Sequence, residues 1–117
     1  MDLNQAIEKH VEWKLRFRGA MANQETMDAE TILKDNCCEL GRWLHGEART
    51  QFVNLPSYLE CVGKHAAFHV EAGKVAGIIN SRKFPDAEAM LAADSPYARA
   101  STAACSAIIR LKKEAAL

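Results

Sequence analysis

The sequence lacks the features that direct a chain to membranes or nucleic acids. No apolar run approaches the roughly 20 residues that a membrane-spanning helix needs, and the N-terminus is acidic and amphipathic rather than a signal peptide. Net charge is also absent, because 15 Lys and Arg residues balance 15 Asp and Glu residues. Without a basic stripe there is no electrostatic drive toward nucleic acid or anionic lipid. We therefore expect a cytoplasmic protein without nucleic-acid or membrane partners.

Strand patterns and paired-cysteine motifs are absent as well. No segment alternates between apolar and polar residues for long enough to predict a strand. The four cysteines are an adjacent pair and two distant singles, Cys37, Cys38, Cys61 and Cys105. This spacing contains no Cys-x-x-Cys, which excludes a zinc ribbon and a thioredoxin-type motif, and it does not resemble a secreted disulfide framework. Free thiols in a reducing compartment are expected.

Helical periodicity is what the sequence does have. Its 117 residues suffice for one domain, residues 1–117, with a hydrophobic core. Apolar spacing predicts four main helices and one short helix, at about residues 3–21, 37–47, 57–81, 96–113 and 85–92. The expected fold is all-α, an antiparallel four-helix bundle with an extra short helix. Residues 49–56 are expected to form a connector, and 28–33 a short helical turn.

Small residues are frequent in the predicted core and on the third helix. Three glycines interrupt that helix, Gly63, Gly73 and Gly77, although each lowers helix stability by up to about 1 kcal/mol relative to alanine. Such positions favour close helix packing, and an alanine-rich core leaves a face that needs a partner. We therefore expect a homodimer.

Three of the four histidines fall on faces predicted to be buried. His65 and His69 are one helical turn apart within an apolar stripe, and His10 occupies the buried side of the first helix. A buried imidazole must satisfy a donor and an acceptor, and one metal ion satisfies a nitrogen on each ring. The i, i+4 spacing aims two imidazoles at one ion. The alternative is that His65 and His69 are ordinary buried or half-exposed histidines, and that His10 lies on the helix surface and packs against Trp13. His45 is expected to face solvent.

A cysteine ligand is available at the start of the second helix. Cys37 and Cys38 are about 100° apart on a helix, so only one of them can face the histidines. At a helix N-terminus, which Asp35 or Asn36 is expected to cap, the dipole lowers the pKa of Cys38 and favours the thiolate. Gly41 suggests close backbone approach. Three imidazoles and one thiolate form a full tetrahedral set for zinc; copper is the alternative, but no methionine is placed as an axial ligand.

The order of these motifs resembles the chemoreceptor zinc-binding domain family. The matching residues are His10-x-x-Trp13-Lys14, then Cys38-Glu39-Leu40-Gly41-Arg42-Trp43-Leu44, then His65-x-x-x-His69. The resemblance implies that His10, Cys38, His65 and His69 bind one zinc ion in the bundle core, and its signature selects Cys38 over Cys37. It also implies a dimeric sensory module of chemoreceptors and diguanylate cyclases whose cysteine responds to oxidants.

A non-catalytic zinc sensor or regulator is the function these observations favour. Four protein ligands close the coordination shell and leave no position for a substrate water, so no enzymatic activity is expected. A catalytic zinc with Glu12 or Glu71 as base, and a structural or zinc-buffering bundle, are the alternatives. No signalling hairpin or cyclase accompanies the chain, which suggests a small complete protein or a domain cut from a longer one. A lone copy would have to act in trans or simply hold zinc.

Among the other thiols, Cys37 is expected to be a bystander or a resolving thiol. Cys61 lies one turn before His65 and could approach the site. If they have no such role, Cys37, Cys61 and Cys105 are expected to behave as small buried hydrophobic residues.

Overall fold

The computed structural model describes residues 1–117, which form eight helices and no strand. The helices are α1 Leu3–Val11, α2 Trp13–Ala22, α3 Ala29–Leu33, α4 Glu39–His45, α5 Glu47–Phe52, α6 Pro56–Asn80, α7 Phe84–Met90 and α8 Pro96–Glu114. None of the eight combines the length and the hydrophobicity that a membrane crossing requires. The predicted all-α bundle is confirmed.

Helices α6 and α8 form the main antiparallel pair. Glu114 near the end of α8 accepts hydrogen bonds from the backbone N–H and the hydroxyl of Ser57 at the start of α6, at 3.1 and 2.8 Å. One turn further along α6, Glu60 pairs with Arg110. Residue numbers therefore rise on one helix as they fall on the other, as the predicted antiparallel packing requires. Helix α1 packs on α8, while α2 and α3 pack on α6.

The short elements differ in detail from the sequence predictions. The first predicted helix is divided at Glu12 into α1 and α2, although the Arg16 N–H still donates to the Glu12 carbonyl at 3.1 Å. The predicted connector at 49–56 instead contains most of α5. The turn at 28–33 is confirmed as α3, and Asp28 caps it by accepting from the Thr31 N–H.

The hydrophobic core is divided into two clusters along the bundle. One contains Phe17 of α2, with Phe68 and Ala72 of α6. The other contains Ala6 of α1 and Cys61 of α6. On α6, His65 lies between Cys61 of one cluster and Phe68 of the other, and His69 directly follows Phe68. The core therefore has a polar layer between two apolar ones.

Only one of the three α6 glycines packs closely against another segment of the chain. A Cβ on Gly73 would lie 2.9 Å from the Leu33 Cβ, whereas Cβ atoms on Gly63 and Gly77 would meet nothing within 4 Å. The expected close packing is therefore confirmed at Gly73 alone.

Replacing Gly77 by alanine is expected to stabilise the protein. Helix propensity favours alanine over glycine by about 1 kcal/mol in a helix interior, and the added methyl has room. Chemical denaturation of Gly77→Ala beside wild type measures the difference, and Gly73→Ala, which must displace Leu33, should show less gain or a loss. A clear loss of stability in Gly77→Ala would mean that another surface covers this part of α6 in solution.

Candidate metal centre

Four potential metal-ligand side chains converge in the polar layer of the core. His10 comes from α1, Cys38 from the residue that precedes α4, and His65 and His69 from α6. Their ligand atoms all lie within 4.8 Å of one another. The three imidazoles are almost completely buried, with exposures of 3%, 0% and 2%, and Cys38 is half-buried. The structure therefore brings together all four residues that the sequence predicted, from three separate segments.

The spacing of the ligand atoms fits a tetrahedral ion. Cys38 Sγ lies 3.9, 3.3 and 3.5 Å from the Nε2 atoms of His10, His65 and His69. His65 Nε2 lies 3.1 Å from His10 Nε2 and 3.0 Å from His69 Nε2. Zinc bond lengths of about 2.0 Å to nitrogen and 2.3 Å to sulfur require tetrahedron edges of roughly 3.3–3.6 Å. Side chains already at these distances need only small shifts to share one ion.

Backbone carbonyls fix the orientation of two of the imidazoles. His10 Nδ1 lies 2.7 Å from the Ala6 carbonyl oxygen, and His69 Nδ1 lies 2.8 Å from the Ile32 carbonyl oxygen. A carbonyl only accepts, so Nδ1 carries the proton in both rings. In a neutral ring Nε2 then presents a lone pair to the centre of the cluster. This arrangement, in which the outer nitrogen donates and the inner one ligates, is typical of metal-binding histidines.

Burial keeps the imidazoles neutral. It lowers the pKa of His10 and of His69, and together with the neighbouring histidines it lowers the pKa of His65 to about 2. His65 Nδ1 is buried without a hydrogen-bond partner. The three neutral rings therefore point their Nε2 atoms at one another and at the Cys38 sulfur. Only a shared cation or proton makes this arrangement of lone pairs favourable. The donor set, three nitrogens and one soft sulfur, suits zinc.

Cys38 is held by the first turn of α4. Its side chain caps the helix by accepting from the Gly41 N–H, with an N···S distance of 3.3 Å. The expected caps, Asp35 and Asn36, do not have this role. Burial raises the pKa of the Cys38 thiol, and hydrogen bonds from the backbone N–H groups of Gly41 and Leu40 oppose the rise. The expected net lowering is therefore wrong for the protein alone, and stabilisation of the thiolate requires a nearby cation.

Two further contacts hold the turn before α4 in place against the helix. Gly41 lies so close to this turn that a Cβ would be 1.6 Å from the Asp35 carbonyl oxygen, which confirms the predicted close approach. The Asp35 carboxylate accepts a hydrogen bond from His45 Nε2 at 2.7 Å. His45 is exposed, as expected, but it connects the end of α4 to the turn that carries Cys38.

The remaining thiols are outside the cluster. Cys61 is buried in the apolar core, and burial raises its pKa to about 12, so the expected hydrophobic role is confirmed. Cys105 is half-buried. Cys37 is exposed, and its thiol lies 3.6 Å from Asn36 Oδ1, so the expectation that it is buried is wrong. Cys38, and not Cys37, occupies the N-cap position of α4.

Glu12 and Glu71, the possible bases for a catalytic zinc, lie in different surroundings. Glu71 pairs with Lys74 on α6 at 3.2 Å. Glu12 is exposed at the junction of α1 and α2, where it lines a surface cavity that also reaches His10 and Cys38.

Two backbone carbonyl groups orient the histidines and were not predicted from the sequence. The Ala6 carbonyl follows from His10, because it lies one turn earlier on the same helix. The Ile32 carbonyl belongs to α3, and no side-chain pattern marks it.

Comparison with known proteins supports the assignment. The family model described as the chemoreceptor zinc-binding domain matches residues 10–76, which are more than half of the chain and include all four cluster residues. No curated protein and no solved structure gives a significant match. Zinc is accordingly the metal that both the family and the donor set indicate. The chain belongs to the chemoreceptor zinc-binding domain family.

Proposed function

We propose that the protein is a zinc-dependent sensory or regulatory domain in which His10, Cys38, His65 and His69 bind one zinc ion. The observation that carries the proposal is the convergence of these four ligand atoms within 4.8 Å. Three of the residues are buried histidines, whose placement in a core has no other evident reason. Zinc bound there would supply a positive charge that stabilises the Cys38 thiolate and the inward lone pairs.

A regulatory role is favoured over a catalytic one. Four protein ligands complete a tetrahedral shell, so no coordination position is left for a substrate water. The ligands also join three segments that otherwise touch only in part, since the seven-residue helix α4 makes limited contact with α1 and α6. Loss of the ion, or oxidation of the Cys38 sulfur, would release the start of α4 from the other two helices. Such a release is a conformational signal that a partner could detect.

The surface supports a role in association. Along α6, Leu59, Gly63 and Val70 follow a helical spacing on the outer side, and all three are exposed. Gly63 leaves room for another backbone. We propose that this face mediates a cytoplasmic homodimer. The regulated output would be a chemoreceptor or a diguanylate cyclase in trans, in keeping with the family. A zinc-holding bundle or zinc buffer without a signalling role remains the alternative.

Metal quantification tests the ligand set. Wild-type protein purified without chelator is expected to carry about one zinc per chain, and Cys38→Ala and His65→Ala well below half of that. Cys37→Ala is the matched control, because Cys37 is the exposed neighbour of Cys38 and lies outside the cluster, and it should retain wild-type zinc. Full zinc content in both ligand variants, or none in wild type, would contradict the proposal.

The redox role has a separate test. Peroxide or hypochlorite should release zinc from wild type but not from Cys38→Ser, with release expressed relative to each protein's initial zinc content. Equal fractional release from both proteins would leave the zinc site in place but exclude Cys38 as the oxidant-sensitive ligand.

A further inference from the structure

The metal centre is most exposed to solvent at Cys38. His65 is completely buried, and His10 and His69 are nearly so, whereas Cys38 is half-buried. Two surface cavities reach this side. One, of about 340 Å³, includes His10 and Cys38 in its lining; the other, of about 670 Å³, includes Cys38 and His69. Neither cavity reaches His65. These two cavities give zinc, chelators and thiol reagents a path to the site on the Cys38 side.

Three residues line both cavities and separate one from the other. Only Trp13, Arg16 and Cys38 line both of them. Trp13 is half-buried, and its ring packs on the Phe17 ring with centroids 5.5 Å apart. The Arg16 guanidinium carbon lies 4.0 Å from the centroid of the Trp13 ring, and Arg16 forms no ion pair. Its one specific contact is this cation–π stack, which holds the indole in place.

From this arrangement, and on the basis of the proposed zinc site, we infer that the Trp13 side chain, held in place by Arg16, limits the rate at which zinc enters and leaves the site. Without the indole, the two cavities would join into one opening beside Cys38. Trp13 offers no ligand atom, so its removal changes access to the site rather than the strength of zinc binding. Association and dissociation should then accelerate by the same factor, and their ratio should stay constant.

The experiment compares Trp13→Leu with wild type and with Trp43→Leu, in the full-length zinc-loaded protein. Trp43 is the matched control, because it is also half-buried, packs on Phe52 with centroids 6.2 Å apart and lines neither cavity. Stopped-flow mixing with an excess of a chromophoric chelator gives the dissociation rate, mixing of stripped protein with zinc gives the association rate, and competition gives the affinity.

Both rates are expected to rise about tenfold in Trp13→Leu, as loss of an aromatic pair and a cation–π contact would allow, with affinity unchanged. Trp43→Leu should exchange zinc at the wild-type rates. Unchanged rates in Trp13→Leu would overturn the inference, as would faster dissociation with proportionally weaker binding, or the same acceleration in Trp43→Leu. Arg16→Gln is the second variant in case Trp13→Leu does not fold; it should accelerate both rates by a smaller factor, and wild-type rates in it would exclude the bracing role.

Failure of this inference is distinguishable from failure of the proposed ligand set. If wild type binds one zinc through the four residues, its stoichiometry and the loss in Cys38→Ala establish that set whatever the exchange rates are. If wild type does not bind zinc in this way, the stoichiometry shows it before any rate is measured.

Discussion

Removal of zinc is expected to lower the melting temperature of the protein by about 10–20 °C. The physical reason is the position of the site, a polar layer between the two apolar clusters of the core. His10, His65 and His69 are buried there with neutral rings whose Nε2 atoms face one another. With zinc bound these nitrogens are satisfied, and without it at least some of them are buried lone pairs without a partner.

The magnitude follows from binding linkage. A ligand that binds only the folded state, at a free concentration of about 1,000 times its dissociation constant, adds about 4 kcal/mol to the free energy of unfolding. For a chain of this length, 1 kcal/mol corresponds to about 3–5 °C in melting temperature. Tighter binding would increase the effect, because structural zinc sites contribute considerably more in small domains.

Calorimetry or circular dichroism on stripped and reconstituted protein makes the measurement. His69→Ala, which lacks one ligand and the hydrogen bond to the Ile32 carbonyl, should melt low and respond little to added zinc. Cys37→Ala should respond as wild type does, because Cys37 is exposed and lies outside the cluster. Identical melting curves for stripped and reconstituted wild type would show that zinc does not hold the two halves of the core together.

The histidine part of the site could be predicted because it follows from helical periodicity. On α6 the i, i+4 spacing alone places His65 and His69 on one face, and the apolar neighbours of His10 place that residue on the buried side of its helix. Three imidazoles in a core need a common partner, which makes the metal a chemical inference from the sequence. The same periodicity predicted the bundle, since long amphipathic helices leave few other ways to bury their faces.

The connecting segments could not be predicted as well, because their conformation depends on contacts distant in sequence. Cys38 caps α4 itself, and this role depends on the turn that Gly41 packs against. The Ile32 carbonyl orients His69 only because α3 lies on α6, and neither residue signals the other. The break at Glu12 is a local deviation within an otherwise continuous helical pattern, which residue spacing does not reveal.

Replacement of Gly41 by alanine is expected to lower the free energy of unfolding by about 3 kcal/mol or more, although alanine is the better helix former by about 1 kcal/mol. The added Cβ would lie 1.6 Å from the Asp35 carbonyl oxygen, 2.7 Å from the Asp35 carbonyl carbon and 3.2 Å from the Asn36 Cα. All three are backbone atoms, so no side-chain rotation relieves the overlap. The turn must move away from α4.

That movement should also weaken zinc binding, because the displaced turn carries Cys38. The Gly41 N–H donates to Cys38 Sγ at 3.3 Å, and the same sulfur lies 4.0 Å from the Asp35 carbonyl oxygen. Loss of such outer contacts typically lowers metal affinity by about 10- to 100-fold. Gly77→Ala is the matched control, since its Cβ meets nothing within 4 Å and should leave zinc affinity unchanged. Denaturation with and without zinc separates the two effects: Gly41→Ala should lose stability in both conditions and should gain less than wild type from zinc. An equal gain would mean that the turn shifts without moving the sulfur from its place beside the histidines.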